Sequence, residues 1–250
     1  MKLLVIPDVH GIDTWRSQVA NAIISSDTHI VFLGDYVDSF VADAWTIFEN
    51  LKDIIEFKVK YPEKVTLLLG NHDYAYIYGK SSISGHNYEM AHEYKRIFEN
   101  NRELWKVAWG FQGKERYTLV THAGLTQYFF DAIIKSINNP KSVMHELLVT
   151  KATEPWKKLP IHELLNYFID QVSYMWMVGY YRGGNDRTGS ILWADMNELT
   201  TDRLPGIDQI VGHTVNWQVI SKLIDGDRIY FTDVHSENKQ YLTGFMIDLI

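Results

Sequence analysis

The sequence predicts an α/β fold in which short buried strands alternate with amphipathic helices. Three observations support this class: five apolar runs rich in β-branched residues, helical spacing between several of them, and a polar block directly after each run. The runs are continuous rather than alternating, which is typical of strands covered on both faces. We therefore expect central strands at Leu3–Ile6, Ile30–Leu33, Val65–Leu69, Tyr117–Val120 and Gln209–Val211.

Helical spacing connects the first three runs. Asp13 and Thr14 are suited to cap a helix over residues 15–24, which would complete a βαβ unit. Residues 41–60 carry apolar side chains at helical intervals, and Pro62 lies just beyond to end that helix. The same periodicity predicts helices over residues 86–106 and 127–138.

The second half of the chain is less regular. A β-hairpin is predicted around Gln112–Lys114, from strands at 106–111 and 117–120. Residues 139–205 hold four of the six prolines, and we interpret them as an insertion that shapes a cleft wall. Helices are expected there near 140–151 and 160–178. The C-terminal part is predicted to be mostly sheet, with a tight turn at Asp225-Gly226 and strands at 215–223, 228–232 and 241–247.

The composition favours one globular domain spanning residues 1–250, because 46% of the residues are hydrophobic and 22% are charged. The absence of cysteine excludes disulfides and thiolate metal sites. No apolar run reaches the roughly 18 residues of a membrane span, and the N-terminal run is too short for a signal peptide. We therefore expect a cytoplasmic protein without a membrane partner. A net charge of −7 disfavours non-specific nucleic-acid binding.

Each predicted strand is followed by a block of aspartate, asparagine or histidine. Open α/β sheets bind ligands at the carboxyl ends of their strands, so the blocks should line one cleft. Their oxygen and imidazole donors are those that divalent metal ions prefer. The blocks are Asp8-Val9-His10-Gly11, Gly34-Asp35-Tyr36-Val37-Asp38, Gly70-Asn71-His72-Asp73, Thr121-His122-Ala123-Gly124 and Gly212-His213-Thr214.

The donor set predicts two metal ions that share one carboxylate. A second ion about 3.5–4 Å from the first requires a bridging ligand, and Asp35 is the best placed. Manganese suits these donors best, with iron, zinc or nickel as alternatives. One ion would be held by Asp8, His10 and Asp35, and the other by Asp35, Asn71, His122 and His213.

This pairing predicts phosphoester hydrolysis by attack of a metal-bound hydroxide. His72 could protonate the leaving oxygen, with Asp38 fixing its tautomer. Arg182 and Arg187 are candidate donors to the phosphate, since a guanidinium matches two phosphate oxygens, and Asn71 could also contact it.

The five blocks, in this order, resemble the motifs of the calcineurin-like metallophosphoesterase superfamily. The resemblance implies a four-layer α/β/β/α sandwich with two mixed sheets, together with the same metal and proton-transfer roles. Tyr36-Val37-Asp38 and Leu192-Trp193-Ala194-Asp195 are similar to the phosphoprotein phosphatase branch and its small bacterial and phage relatives. The last motif favours this branch as well, because many diesterases end it in Gly-His-x-His and this chain has Val215 there.

Two departures from the branch concern phosphate binding. The second motif of that branch continues into Arg-Gly, whereas this chain has Ser39-Phe40, and its third motif ends in glutamate rather than Asp73. We hypothesise that Arg182 takes over part of the function of the missing arginine.

The favoured interpretation is a binuclear metal-dependent phosphatase acting on a phosphomonoester, either a small molecule or a phosphoprotein. One alternative is a phosphodiesterase or dinucleoside polyphosphate hydrolase, and another is a non-catalytic scaffold. His235 follows a late strand and could contact the site, but it is left outside the predicted core. The sequence leaves open the physiological substrate, the native metals and the oligomeric state.

Overall fold

The computed structural model describes residues 1–39, 41–153, 155–234 and 243–249. In this part of the chain the strands form two five-stranded sheets. They are β1 (Lys2–Ile6), β2 (Thr28–Phe32), β3 (Val65–Leu68), β4 (Trp105–Lys106), β5 (Ala108–Gln112), β6 (Tyr117–Thr121), β7 (Ile207–Val211), β8 (Ile220–Ile224), β9 (Asp227–Phe231) and β10 (Phe245–Asp248).

Helices connect and cover these strands. They are α1 (Trp15–Ile24), α2 (Ala44–Lys60), α3 (Asn71–Ile77), α4 (Ala91–Asn100), α5 (Gln127–Asn138), α6 (Val143–His145), α7 (Ile161–Asn166), α8 (Val172–Met175) and α9 (Met196–Asp202). A π-helical turn covers Glu146–Thr150, and 3₁₀ turns cover Arg102–Leu104, Trp156–Lys158 and Tyr180–Arg182. Among the described residues, no helix has both the length and the apolar character needed to cross a membrane.

Both sheets are mixed. The first has the order β10-β1-β2-β3-β4, with β1 to β4 parallel and β10 antiparallel to β1. The second has the order β5-β6-β7-β9-β8, in which β6, β7 and β9 are parallel while β5 and β8 are antiparallel edge strands. The five strands predicted from continuous apolar runs all lie in the interior of a sheet, as expected.

The side chains of each strand point alternately to the two faces of its sheet, and this alternation produces the four layers. Leu3 and Val5 of β1 pack with Val120 and Ile210 of the other sheet, so this face lies between the sheets. Leu4 and Ile6 point the other way, into the core that contains the helices. On the outer side of the second sheet, Val211, Ile229 and Phe231 pack against Leu199 of α9. The fold class is therefore confirmed as a sandwich of two mixed sheets with helices outside.

The helix boundaries differ locally from the predictions. Helix α1 is confirmed, but the Thr14 side chain makes no capping hydrogen bond. Helix α2 begins later than predicted, because the Asp43 carboxylate accepts hydrogen bonds from the N–H groups of Trp45 and Thr46 and so caps the helix there. Similarly, the helix predicted over residues 86–106 is shorter, at Ala91–Asn100.

The predictions over residues 139–205 and at the C-terminus were less accurate. The helix expected near 140–151 is present as α6 and the π-helical turn that continues it to Thr150. The single helix expected at 160–178 is replaced by the short helices α7 and α8. The Asn166 side chain at the end of α7 bonds to the β5 backbone, accepting from Ala108 N–H and donating to Ala108 C=O. Such a tertiary contact overrides helical periodicity. The strand predicted at 215–223 is confined to Ile220–Ile224, and residues 241–242 lie outside the described chain.

The core between the sheets should contribute substantially to stability. Leu68 is fully buried there, whereas Leu223 on β8 is 63% exposed. Leu68→Ala should reduce the free energy of unfolding by about 2–5 kcal/mol, because it removes apolar contacts and leaves a cavity. The matched control Leu223→Ala should change it by less than about 0.5 kcal/mol in urea titrations. Equal losses in the two variants would contradict this assignment of the core.

Candidate active site

Four of the five polar blocks line one cleft, which has a volume of about 360 Å³. His122, from the fifth block, is fully buried next to it, with Nε2 2.9 Å from Asn71 Oδ1. Each of the five blocks follows the carboxyl end of a strand, namely β1, β2, β3, β6 or β7. The cleft also receives residues from the 79–90 loop, from the 139–205 region and from the end of β9. Its lining is Asp8, His10, Asp35, Asp38, Asn71, His72, Ser82, Ile83, Ser84, Arg182, Trp193, His213, Val215 and Asp233.

The backbone of the site is strained. His10, Asp35, Asp38 and His213 have positive φ values, between 44° and 63°. Among the described non-glycine residues, one other has positive φ, Asp225 in the β8–β9 turn. Left-handed conformations of this kind cost free energy and concentrate at functional sites. The strain therefore marks the same cleft independently of residue chemistry.

Two glycines in the blocks make room for carboxylates. A Cβ atom on Gly70 would lie 2.0 Å from Asp35 Oδ1, and one on Gly212 would lie 2.3 Å from Asp8 Oδ1. Any larger residue at either position would therefore push an aspartate out of place. These contacts explain why glycine precedes Asn71 and His213.

Asp35 lies at the centre of the site. Its Oδ1 accepts a hydrogen bond from the His72 N–H at 3.0 Å, and its Oδ2 lies 3.7 Å from His10 Nε2 and 3.5 Å from His122 Nε2. Two candidate ligand groups share it, and within each group the donor atoms all lie within 4.8 Å of one another. The groups are Asp8, His10 and Asp35, and Asp35, His122 and His213.

The buried His122 ring has a fixed tautomer. Its Nδ1 donates to the Leu33 carbonyl at 3.0 Å, and burial lowers its pKa, so the neutral ring presents an Nε2 lone pair. Asn71 Oδ1 lies 2.9 Å from this nitrogen and His213 Nδ1 lies 3.1 Å away. Such a convergence of electron-pair donors is what a cation stabilises.

The imidazoles of His10 and His213 are also placed to bind a cation. His10 Nδ1 donates to the carbonyls of Val37 and Asp38, at 3.1 and 2.7 Å, which leaves Nε2 as the atom that faces Asp35. His213 Nε2 is buried and has no hydrogen-bond partner among the described residues. Burial and the neighbouring His122 hold the pKa of His213 well below its usual value, so this ring is neutral and available as a ligand.

The acidic groups also favour bound cations. Burial raises the pKa of Asp8 well above its ordinary value, and the charges of Asp233 and Asp35 raise it further. The Asp35 carboxylate accepts a hydrogen bond from the His72 N–H, which favours its ionised form despite its burial. Because ionised carboxylates crowded in a buried site repel one another, divalent cations would relieve the repulsion. The residues therefore fit a pair of metal ions, with Asn71 as a further oxygen donor.

His72 and Asp38 form a buried pair beside these ligands. His72 Nδ1 lies 2.8 Å from Asp38 Oδ2, and both side chains line the cleft. Burial by itself lowers the pKa of His72, but Asp35 and Asp38 outweigh it and raise the pKa to about 9. Cations at Asp35 would reduce this attraction by neutralising its carboxylate.

The structure separates the two candidate arginines. Arg182 lines the cleft, where Nη2 donates to Thr214 Oγ1 at 2.8 Å and Nε lies 3.1 Å from Asp195 Oδ2. Arg187 is not among the cleft-lining residues. It lies over the Tyr128 ring and 3.5 Å from an Asp202 oxygen.

Sequence reasoning assigned no role to two aspartates that are buried in the structure, Asp73 and Asp233. The Asp73 carboxylate accepts hydrogen bonds from the N–H groups of Asp35, Tyr36 and Gly70, and so fastens the Asp35 loop to the start of α3. Asp233 follows β9 and lines the cleft. Its position after a strand repeats the signal of the five blocks and could have identified it, whereas His235 lies outside the described residues.

Comparisons with known proteins agree with this geometry. Residues 1–217 match the family described as calcineurin-like phosphoesterase. A cold-active protein-tyrosine phosphatase from a psychrophilic Shewanella sp. has a TM-score of 0.53 at 17% identity, covering 98% of this chain and 74% of that one. At this identity the likeness shows a shared fold.

Two further solved structures are similar to a lower degree. A protein serine/threonine phosphatase from Saccharomyces cerevisiae gives a TM-score of 0.45 at 17% identity, covering 93% of this chain and 67% of that one. A putative diadenosine tetraphosphatase gives 0.43 at 14% identity, with coverages of 93% and 82%.

The shared carboxylate predicts two metal ions per chain. Calorimetric titration of the chelator-treated protein with Mn²⁺ should show two equivalents bound, and His213→Asn should lose one, because it removes an imidazole from one ligand group. The control His92→Asn, whose side chain is 85% exposed, should keep both. Binding of two equivalents with unchanged affinity by His213→Asn would refute this ligand assignment.

Proposed function

Because the chain belongs to the calcineurin-like phosphoesterase family, we propose that this phosphoric ester hydrolase is a phosphomonoesterase that uses two divalent metal ions. The observation that carries the proposal is the buried His72–Asp38 pair in the same cleft as the ligands around Asp35. A proton donor beside a phosphoryl-binding metal centre is what ester cleavage with a poor leaving group requires.

The metal ligands proposed here come from both halves of the chain. Two divalent ions, when bound, would lower the pKa of a shared water and neutralise phosphoryl oxygens. Manganese fits the oxygen and imidazole donors and is our preferred metal. The proposed ligands are Asp8, His10, Asp35, Asn71, His122 and His213.

His72 is the proposed general acid. Its Nδ1–H donates to Asp38, so the proton on Nε2 is the one available to the leaving oxygen. Asp38 accepts the hydrogen bond from Nδ1, and this bond favours the protonated form of His72 and holds the ring in one orientation. Transfer of this proton neutralises the alkoxide or phenoxide as the P–O bond breaks.

Arg182 is the proposed phosphate-binding arginine. Thr214 and Asp195 hold its guanidinium at the edge of the cleft, and the remaining N–H groups can donate to phosphoryl oxygens. Thr214 directly follows the ligand His213, which places this positive charge beside the metal centre. Asn71 could donate to the phosphate as well, whereas Arg187 does not line the cleft and has no part in the proposal.

Val215 supports a monoester over a diester substrate. It lines the cleft at the position where many diesterases of this superfamily carry a second histidine. The proposed substrate is a phosphorylated small molecule or a phosphoprotein. The competing functions are a diesterase, a dinucleoside polyphosphate hydrolase and a non-catalytic scaffold.

The test of this function compares aryl phosphate monoester with aryl phosphate diester turnover in the presence of Mn²⁺. We expect the monoester to be hydrolysed with the higher kcat/KM. The variant His72→Asn should lower kcat for phenyl phosphate by about 10²–10⁴-fold, because it removes a positioned acid. Preferential diester hydrolysis would establish the rival enzyme class, and the absence of any hydrolysis with both metals bound would favour the scaffold.

The arginine assignment is tested by a matched pair of variants. Arg182→Gln should lower kcat/KM for the monoester by about 10–100-fold, because a charge-assisted contact to the phosphate is lost. Arg187→Gln should leave both kcat and KM unchanged. The assignment fails if steady-state kinetics show the two variants to be alike.

A further inference from the structure

Tyr76 contacts the Asp38 carboxylate from the side opposite His72. The Tyr76 hydroxyl donates a hydrogen bond to Asp38 Oδ1, while His72 Nδ1 donates to Asp38 Oδ2. Tyr76 and His72 lie four residues apart on α3, so both side chains leave the same face of that helix. One carboxylate is thus held at both oxygens by two side chains of a single helix.

The same hydroxyl also fastens a loop of the cleft. Asn87 N–H donates to the Tyr76 oxygen at 2.7 Å, and the His86 ring stacks on the Tyr76 ring with centroids 4.5 Å apart. These residues belong to the 79–90 loop, whose Ser82, Ile83 and Ser84 line the cleft. The phenol therefore connects a substrate-facing loop to the partner of His72.

We propose that Tyr76 is a positioning residue for proton transfer, which sets the orientation of the Asp38 carboxylate and couples it to the 79–90 loop. The proposal rests on the role of His72 as general acid given above. Tyr76 lies outside the five sequence blocks, and the sequence alone gave its hydroxyl no role.

The physical reason is that one hydrogen bond leaves a carboxylate free to rotate about its Cβ–Cγ bond. A second donor at the other oxygen fixes the carboxylate plane and therefore the direction of the His72 ring. Asp38 is under an additional constraint, because its backbone has positive φ and its carbonyl accepts from the ligand His10. A rotated carboxylate would misdirect the proton without disturbing the metal ligands.

Packing alone does not require this hydroxyl. The Tyr76 ring packs against the Tyr94 ring with centroids 5.0 Å apart and stacks on His86, contacts that a phenylalanine would keep. Burial raises the pKa of Tyr76 and its bond to Asp38 raises it further, so the phenol stays protonated and acts as the donor. Removal of the oxygen therefore isolates the interaction with Asp38 and Asn87.

The experiment compares leaving groups in Tyr76→Phe. Phenyl phosphate, whose leaving oxygen needs a proton, should lose about 10–100-fold in kcat. 2,4-Dinitrophenyl phosphate, whose leaving group departs without protonation, should lose less than about threefold. The control Tyr74→Phe removes another hydroxyl from α3, one that donates to the Ile169 carbonyl. This variant should leave kcat unchanged for both substrates.

His72→Asn separates the possible failures. If His72→Asn shows the leaving-group dependence and Tyr76→Phe does not, the positioning role is overturned while the proposed function stands. If His72→Asn shows no such dependence, the acid assignment and the role of Tyr76 both fail. Thermal unfolding and Mn²⁺ content of Tyr76→Phe should match those of Tyr74→Phe, and an equal kcat loss for both substrates would indicate a merely structural effect.

Discussion

The fold is organised around one buried carboxylate that several neighbours approach. Asp35 accepts from the His72 N–H, and its Oδ2 lies 3.7 Å or less from the imidazoles of His10 and His122. Such an arrangement of carboxylates and lone pairs is unfavourable unless cations compensate it. The surrounding structure is a frame that holds these donors in place against their mutual repulsion.

That frame is built from long-range contacts. Residues 8 and 213 meet because β1 and β7 are interior strands of the two packed sheets, and the Asp8 carboxylate accepts from the His213 N–H. Asp73 fastens the Asp35 loop to α3 by accepting hydrogen bonds from the N–H groups of Asp35 and Tyr36. The close approach at Gly70 and Gly212 leaves no room for a Cβ atom. Rigid strand ends of this kind hold ligands more accurately than a mobile loop can.

The sequence was informative where residue type and strand ends coincide. Continuous apolar runs identified the interior strands, and the polar blocks after them supplied the candidate metal ligands that the structure brings together. It was less informative where tertiary contacts decide, as at Asn166, which bonds to β5 where a longer helix was expected. Tyr76 could not be recognised either, because the role proposed for it depends on its hydrogen bond to Asp38, which lies 38 residues earlier. The sequence favoured Arg182 over Arg187, and of the two only Arg182 lines the cleft.

The most direct test is a crystal structure of the protein with Mn²⁺, using anomalous scattering to locate the ions. We predict two anomalous peaks about 3.5–4 Å apart, both within ligand distance of the Asp35 carboxylate. One of them should contact His10 and the other His122. A single peak, or two peaks of which one does not contact Asp35, would contradict the shared-carboxylate centre on which the proposed chemistry depends.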